Sequence, residues 1–414
     1  MRLFQGAALV ALAAVAGEAA SAPDHQVVTG PVAVYWMSAS TTSGMGAIGS
    51  MAGGGGRPSM AQIMGGMQNP NAPSHTLVLQ LGSADHPQGD PTAEHDPPPG
   101  LGVGAALPLL TPQAQQPAAH EEATPGPPPQ YQQPHGRMLI FWGCGEHAGS
   151  GQPYVIDFAT MANGQGGAQA FAGLMHSLAI NPMQPPSPSR NATYGEWPNQ
   201  QTQTSVPSEA SLQGDHVVKG NYTPDIHFSL GADQDFLPPF QMTANQKNPS
   251  GSATLGWRHV DGAGGYFASM FGAESRDQIV MWTSSATQAS GFGMPEYLSD
   301  GEIGRLVASQ ALMSPTQTAC TIPMEAVQAA GRGGFWSLTA YGGETNIAYP
   351  PRPPAPKPWH IDWTVKVRYR AATGGLLGVD MGRMGGRSQG DQGQGQPQQQ
   401  QHGFGLPGLG GFLP

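Results

Sequence analysis

The sequence predicts a mainly β protein: two β-sandwich-like domains with a few short helices, long disordered inserts and a disordered tail. Three observations predict it. Residues 253–285 read as three short strands separated by turn signals, with Trp257 on the first and Tyr266 at the start of the second. Runs at 32–37, 76–81 and 138–142 are β-branched, aromatic or alternating, as strands of a buried sheet require. Gly (60 residues) and Pro (41) make up about a quarter of the 414 residues, close to the level of low-complexity chains. Only 11% of residues are charged and the net charge is −10. High charge is therefore not what keeps the Gly/Pro segments from folding; lack of apolar area is. The acidic balance also argues against nucleic-acid binding, which calls for a basic patch.

Arg2, an apolar run at 6–17 and the small residues after it describe a secretory signal peptide over residues 1–22. Cleavage after Ala22 fits the Ala-x-Ala pattern, although Pro23 follows; cleavage after Ala19 is the alternative. The run is shorter than the ~20 residues of a membrane span, and no later segment approaches that length. The expectation is an exported protein, periplasmic or at the cell surface, with no transmembrane segment in the mature chain. The Ala/Gly/Pro bias resembles that of exported proteins of high-GC bacteria.

Residues 23–181 are expected to form the first β-rich domain. Its strands are 32–37, 76–81 (Leu77, Leu79 and Leu81 on one face), 138–142 and 154–158. The run at 138–142 is apolar on both faces and so predicts a central, covered strand. Low-complexity inserts at 43–73 and 112–134 interrupt the set. Ala168, Phe171, Leu174, Met175 and Leu178 recur at helical spacing, which predicts a helix over 166–180 stopped by Pro182. Residues 182–213 are polar and Pro/Ser-rich and predict an interdomain linker.

The second domain is expected over 214–373, with strands near 221–230, 253–257, 266–271, 278–284, 319–322, 334–341 and 362–371. Ser299-Asp-Gly-Glu302 is a capping box and predicts a helix with Ile303, Leu306 and Val307 facing inward. Pro323 opens a second short helix that Gly331 closes. The run 350–358 predicts an extended polyproline connector. Gly262-Ala-Gly-Gly265 predicts a hairpin turn. On the last strand Trp363, Val365, Val367 and Tyr369 alternate with Thr364, Lys366, Arg368 and Arg370, so one face is apolar and the other basic. The basic row is expected to be a solvated face that blunts edge pairing, or else a contact for an acidic polymer. Residues 374–414 are Gly/Gln-rich and are expected to be disordered.

Strands bearing Trp257 and Tyr266, joined through 260–265, resemble the second and third strands of fibronectin type III and related immunoglobulin-like sandwiches. The resemblance covers about thirty residues. It implies a Trp in the core between two sheets and a Tyr opening the neighbouring strand. It implies a scaffold or binding module and no catalytic residues. Two helices between 299 and 330 depart from the family's pattern.

Chemical motifs are sparse. The chain has no phosphate loop, no His-Glu-x-x-His, no Cys-x-x-Cys and no calcium loop. Three weaker constellations remain. Met60, Met64 and Met67 share a helical face in the first insert, and thioethers suit Cu(I). His86 and His95, among Asp85, Asp90, Glu94 and Asp96, supply imidazole and carboxylate for Zn²⁺, although the flanking prolines favour a solvated acidic loop. Cys144 and His147 end a strand and form a nucleophile–base pair only if the glycines between them bend the chain. Cys144 and Cys320 can also pair as a disulfide in an oxidising compartment; the alternative is two buried thiols. The reading is an exported, non-catalytic structural or binding protein of the cell envelope, acting on an envelope protein or polymer, with no cofactor assigned. The alternatives are a periplasmic copper-handling protein and a hydrolase of unrecognised type.

Overall fold

The computed structural model describes residues 26–46, 72–112, 136–162, 173, 178–202, 204–275, 277–289, 294–331 and 333–379. The segment expected to be a signal peptide, most of both expected inserts, most of the helix expected over 166–180 and most of the expected tail lie outside these residues. Within them the chain is mainly β. The first strands are β1 Val28–Thr29, β2 Ala33–Thr42, β3 Ser74–Ser83, β4 Ala93–Asp96, β5 Leu107–Pro108, β6 Arg137–Trp142, β7 Tyr154–Asp157, β8 Thr193–Trp197 and β9 Gly214–Gly220. Then come β10 Thr223–Leu230, β11 Met242–Lys247, β12 Ala253–Trp257, β13 Gly265–Ser275, β14 Gln278–Thr283, β15 Ala319–Ile322, β16 Phe335–Tyr349, β17 Trp359–His360 and β18 Trp363–Leu376. Short helices are α1 Phe158–Ala162, α2 Asp300–Ala308 and α3 Met324–Ala330.

A nine-stranded sheet organises the molecule, in the order β7-β6-β14-β13-β16-β18-β2-β3-β8. Two smaller sheets, β10-β9-β4-β5 and β11-β12-β15, cover one of its faces. Between them lies the main core. Alternate residues of the large sheet enter it: Tyr35 and Met37 from β2, Leu77, Leu79 and Leu81 from β3, Val365 and Val367 from β18. Val218, Ile226, Phe228, Leu255 and Trp257 meet them from the smaller sheets. Full burial of each such aliphatic side chain contributes roughly 1.5–3 kcal/mol.

This order corrects the expected division at 182–213. Strands from both sides of that segment share the large sheet, because β18 pairs in parallel with β2 over ten residues, Trp363↔Ala33 to Ala372↔Thr42. The halves share one hydrogen-bonded ladder and one core. Two local expectations change with it. Residues 258–264 are not a hairpin turn, since β12 and β13 belong to opposite layers and the segment crosses between them. Trp257 and Tyr266 accordingly meet across the core, edge to face at 5.5 Å. The strand at 138–142 is second from the sheet's edge rather than central.

The caps follow the sequence. Ser299 Oγ accepts the Glu302 N–H at 3.3 Å and starts α2. The Glu302 carboxylate does not close the box; it binds Arg305 and the Asn181 N–H instead. Ile303 and Leu306 of α2 are buried with Phe267 and Tyr341 on the outer face of the large sheet. Pro323 precedes α3, and Gly331 ends it at φ +64°. Ala326, Val327 and Ala330 of α3 face the main core.

Candidate functional site

A row of three cations lies on the outer face of the large sheet. Alternation along β18 sends Val365, Val367 and Tyr369 to the core and Lys366, Arg368 and Arg370 to the opposite face. The neighbouring strand β2 likewise sends Trp36, Ser38 and Ser40 outward, directly beside them in register. The basic row is therefore not a solvated edge. β16 and β2 satisfy both sides of the β18 backbone, so this strand has no edge to blunt.

Each cation has its own partners. Lys366 Nζ is paired with Glu344. Arg370 Nε donates to Ser40 Oγ at 2.9 Å, and its Nη2 lies 3.0 Å from Glu296 Oε1. Arg368, between them, is held differently. Its Nε donates to Ser38 Oγ at 2.7 Å. Its guanidinium lies 4.4 Å from the Tyr297 ring centroid and 5.1 Å from that of Trp36. Among the described residues no carboxylate pairs with Arg368, and its two terminal nitrogens have no hydrogen-bond acceptor. Burial pulls its pKa below the ordinary arginine value, against the opposing pull of Tyr297, Glu296 and Glu344. It remains a cation, as arginine does in proteins. Two carboxylates thus serve three cations, and the surplus charge sits on a fork clamped between two aromatic faces.

His95 lies in a different place from that expected. Residues 93–96 are not a solvated loop but strand β4, and the His95 ring is fully buried. Tyr35 Oη lies 2.8 Å from His95 Nδ1, His95 Nε2 lies 2.9 Å from His216 Nδ1, and His216 Nε2 lies 2.7 Å from Leu212 O. The carbonyl can only accept, so in the neutral chain each partner's role is fixed. His216 donates to Leu212 O, His95 donates to His216, and Tyr35 donates to His95. Both His95 nitrogens are used, which leaves none for a metal. Glu94 and Asp96 point to the other side of β4 and bind Lys219.

His86 is exposed and lines two open clefts, of about 470 and 280 Å³, without meeting His95. Among the described residues no group of three His, Cys, Asp or Glu side chains could hold a metal ion. Met60, Met64 and Met67 lie outside the described residues. Cys144 and Cys320 form a disulfide, S–S 2.08 Å, so Cys144 carries no thiol to act as a nucleophile. His147 instead binds Glu325 of α3 at 3.1 Å, and the Ala148 N–H donates to the same carboxylate at 2.8 Å. The glycine-rich loop is a clasp between β6 and α3.

Sequence reasoning missed Tyr35, His216, Trp36 and Tyr297. His216 had one usable signal: it shares strand parity with Val218 in Gly214–Gly220, which marks it as inward-facing. No protein-family model, no curated protein and no solved structure matches this chain.

Proposed function

We propose that this is an exported, non-catalytic binding protein of the cell envelope whose ligand carries an anionic group received by Arg368. The observation that carries the reading is the unpartnered fork of Arg368, fixed between Trp36 and Tyr297 and steadied by Ser38. An arginine fork matches the two oxygens of a carboxylate or phosphate. The ring clamp fixes its orientation before a ligand arrives, which lowers the entropy lost on binding. Lys366 and Arg370 lie two residues to either side, roughly 7 Å along the strand. They add a positive field once Glu344 or Glu296 yields to a polyanion. The Cys144–Cys320 bridge supports export, since disulfides persist in oxidising compartments.

Calorimetric titration of the full chain with polyphosphate, polyglutamate and neutral dextran tests the proposal. Binding of an anionic polymer that weakens with salt is expected, with none to dextran. Arg368→Met keeps the apolar stem and removes the fork. It should lower affinity tenfold or more while the melting temperature holds. Equal binding by the variant, or no binding of either anion, overturns the assignment.

A further inference from the structure

We propose that the buried Tyr35–His95–His216 chain is an acid-released latch that holds the four-stranded layer β10-β9-β4-β5 against the nine-stranded sheet. Its three links join three parts of the molecule: β2 of the large sheet, β4 and β9 of the small one, and the segment ending at Leu212. Both rings are fully buried, and Phe228 of β10 stacks on His216 at 4.7 Å with an interplanar angle of 5°. The chain crosses the apolar core between the layers, where Val365, Val367, Leu79 and Leu81 supply no polar group.

The neutral chain satisfies every link. One added proton reverses it. With His216 protonated at Nδ1, that N–H donates to His95 Nε2. The His95 proton then moves to Nδ1 and donates to Tyr35 Oη. The Tyr35 hydroxyl hydrogen is left with no acceptor, and a full positive charge sits in the core. The surroundings offer little to offset it. Among the described residues Asp215 on β9 is the one carboxylate acting on His216, and it points outward to Ser229. Glu94 and Asp96 of β4 bind Lys219 on the outer side. Asp235 grips the Leu212 N–H and Ser211 rather than either ring. His227 of β10 faces outward, and Tyr35 is the one titratable side chain of β2.

Burial lowers the pKa of both histidines, and His216 lowers His95 further. Their stabilising contribution is present above the unfolded value of about 6.5 and is lost as pH falls below it. Each histidine then shifts the folding equilibrium by up to about tenfold per pH unit, until its folded pKa is reached. The larger cleft lies on the same seam. Val32, Asp85, His86 and Asp362 line it from the large sheet's end, and residues 220–224 line it from the β9–β10 turn. Release of the latch would widen that opening.

Selective ¹⁵N labelling of histidine in the full chain reads both rings directly. Two neutral Nε2–H rings are expected to persist below about pH 6.5. Hydrogen exchange, corrected for its intrinsic pH dependence, should accelerate in β4 and β9 as pH falls further, before β13 and β16 lose protection. The double variant His95→Leu/His216→Phe removes both titrating groups and should flatten this acid response. Either ring titrating at or above about 6.5 in the folded protein overturns the latch. So does an acid response in the folded double variant equal to the parent's. Should the variant not fold at neutral pH, the labelling and exchange results on the parent chain decide.

Discussion

Arg368 is costly to hold where it is, and the residues around it show how the cost is met. A guanidinium taken from water needs acceptors or polarisable faces. Here two rings and one hydroxyl serve, and Glu296 and Glu344 act from a distance. Glu344 is itself positioned by a backbone irregularity. The β16 register shifts between Tyr341 and Glu344, and Gly343 sits at φ +72° within the shift. The Asp300 carboxylate fills the space where a side chain would be: a Cβ on Gly343 would stand 1.9 Å from Asp300 Oδ1, which accepts the Glu344 N–H at 3.2 Å. Gly343→Ala therefore meets both backbone strain and a displaced carboxylate. A loss of about 1–3 kcal/mol is expected, read as a lower denaturation midpoint with an unchanged slope. No change would show that the bulge can relax around a methyl group.

At the scale of elements, what was legible in the sequence is what local pattern determines. Ser299 and Glu302 mark the start of α2, Pro323 and Gly331 bracket α3, and the alternation of Trp363 to Tyr369 fixes the faces of β18. The four-stranded layer was largely illegible. β4 and β5 are short and lie among prolines, and β9 carries His216 where a pattern search expects an apolar residue. That histidine is tolerated inside because His95 and Leu212 satisfy it, and those partners lie 121 and 4 residues away. Only the near one falls within reach of a local pattern. The clasp of Cys144, His147 and Glu325 is similarly long-range. Its disulfide spans 176 residues, so its removal frees a large loop in the unfolded chain. Cys144→Ala/Cys320→Ala should lose about 2–5 kcal/mol in urea denaturation. A smaller loss than about 1 kcal/mol would place the clasp's strength in Glu325 and its partners rather than in the bridge.

Across the whole molecule, the pairing of β18 with β2 makes strands from opposite ends of the described residues neighbours inside one sheet. The sequence cannot announce such a pairing, because no local signal links strands more than 300 residues apart. The basic row shows the consequence: its residues were identifiable, but their burial and partners depended on which strand lay alongside. A shared sheet also predicts shared unfolding. The chain should melt in one transition, with probes on β3 and on β13 losing structure together. Separate transitions for the two sides of residues 182–213 would contradict the common core. Receipt of an anion at Arg368 on the outer face can be seen by soaking crystals in selenate and locating selenium by its anomalous scattering. A peak is expected within hydrogen-bond reach of the Arg368 terminal nitrogens, beside Ser38, that is absent in Arg368→Met. Selenium bound only elsewhere, or bound at this face equally well in the variant, would contradict it.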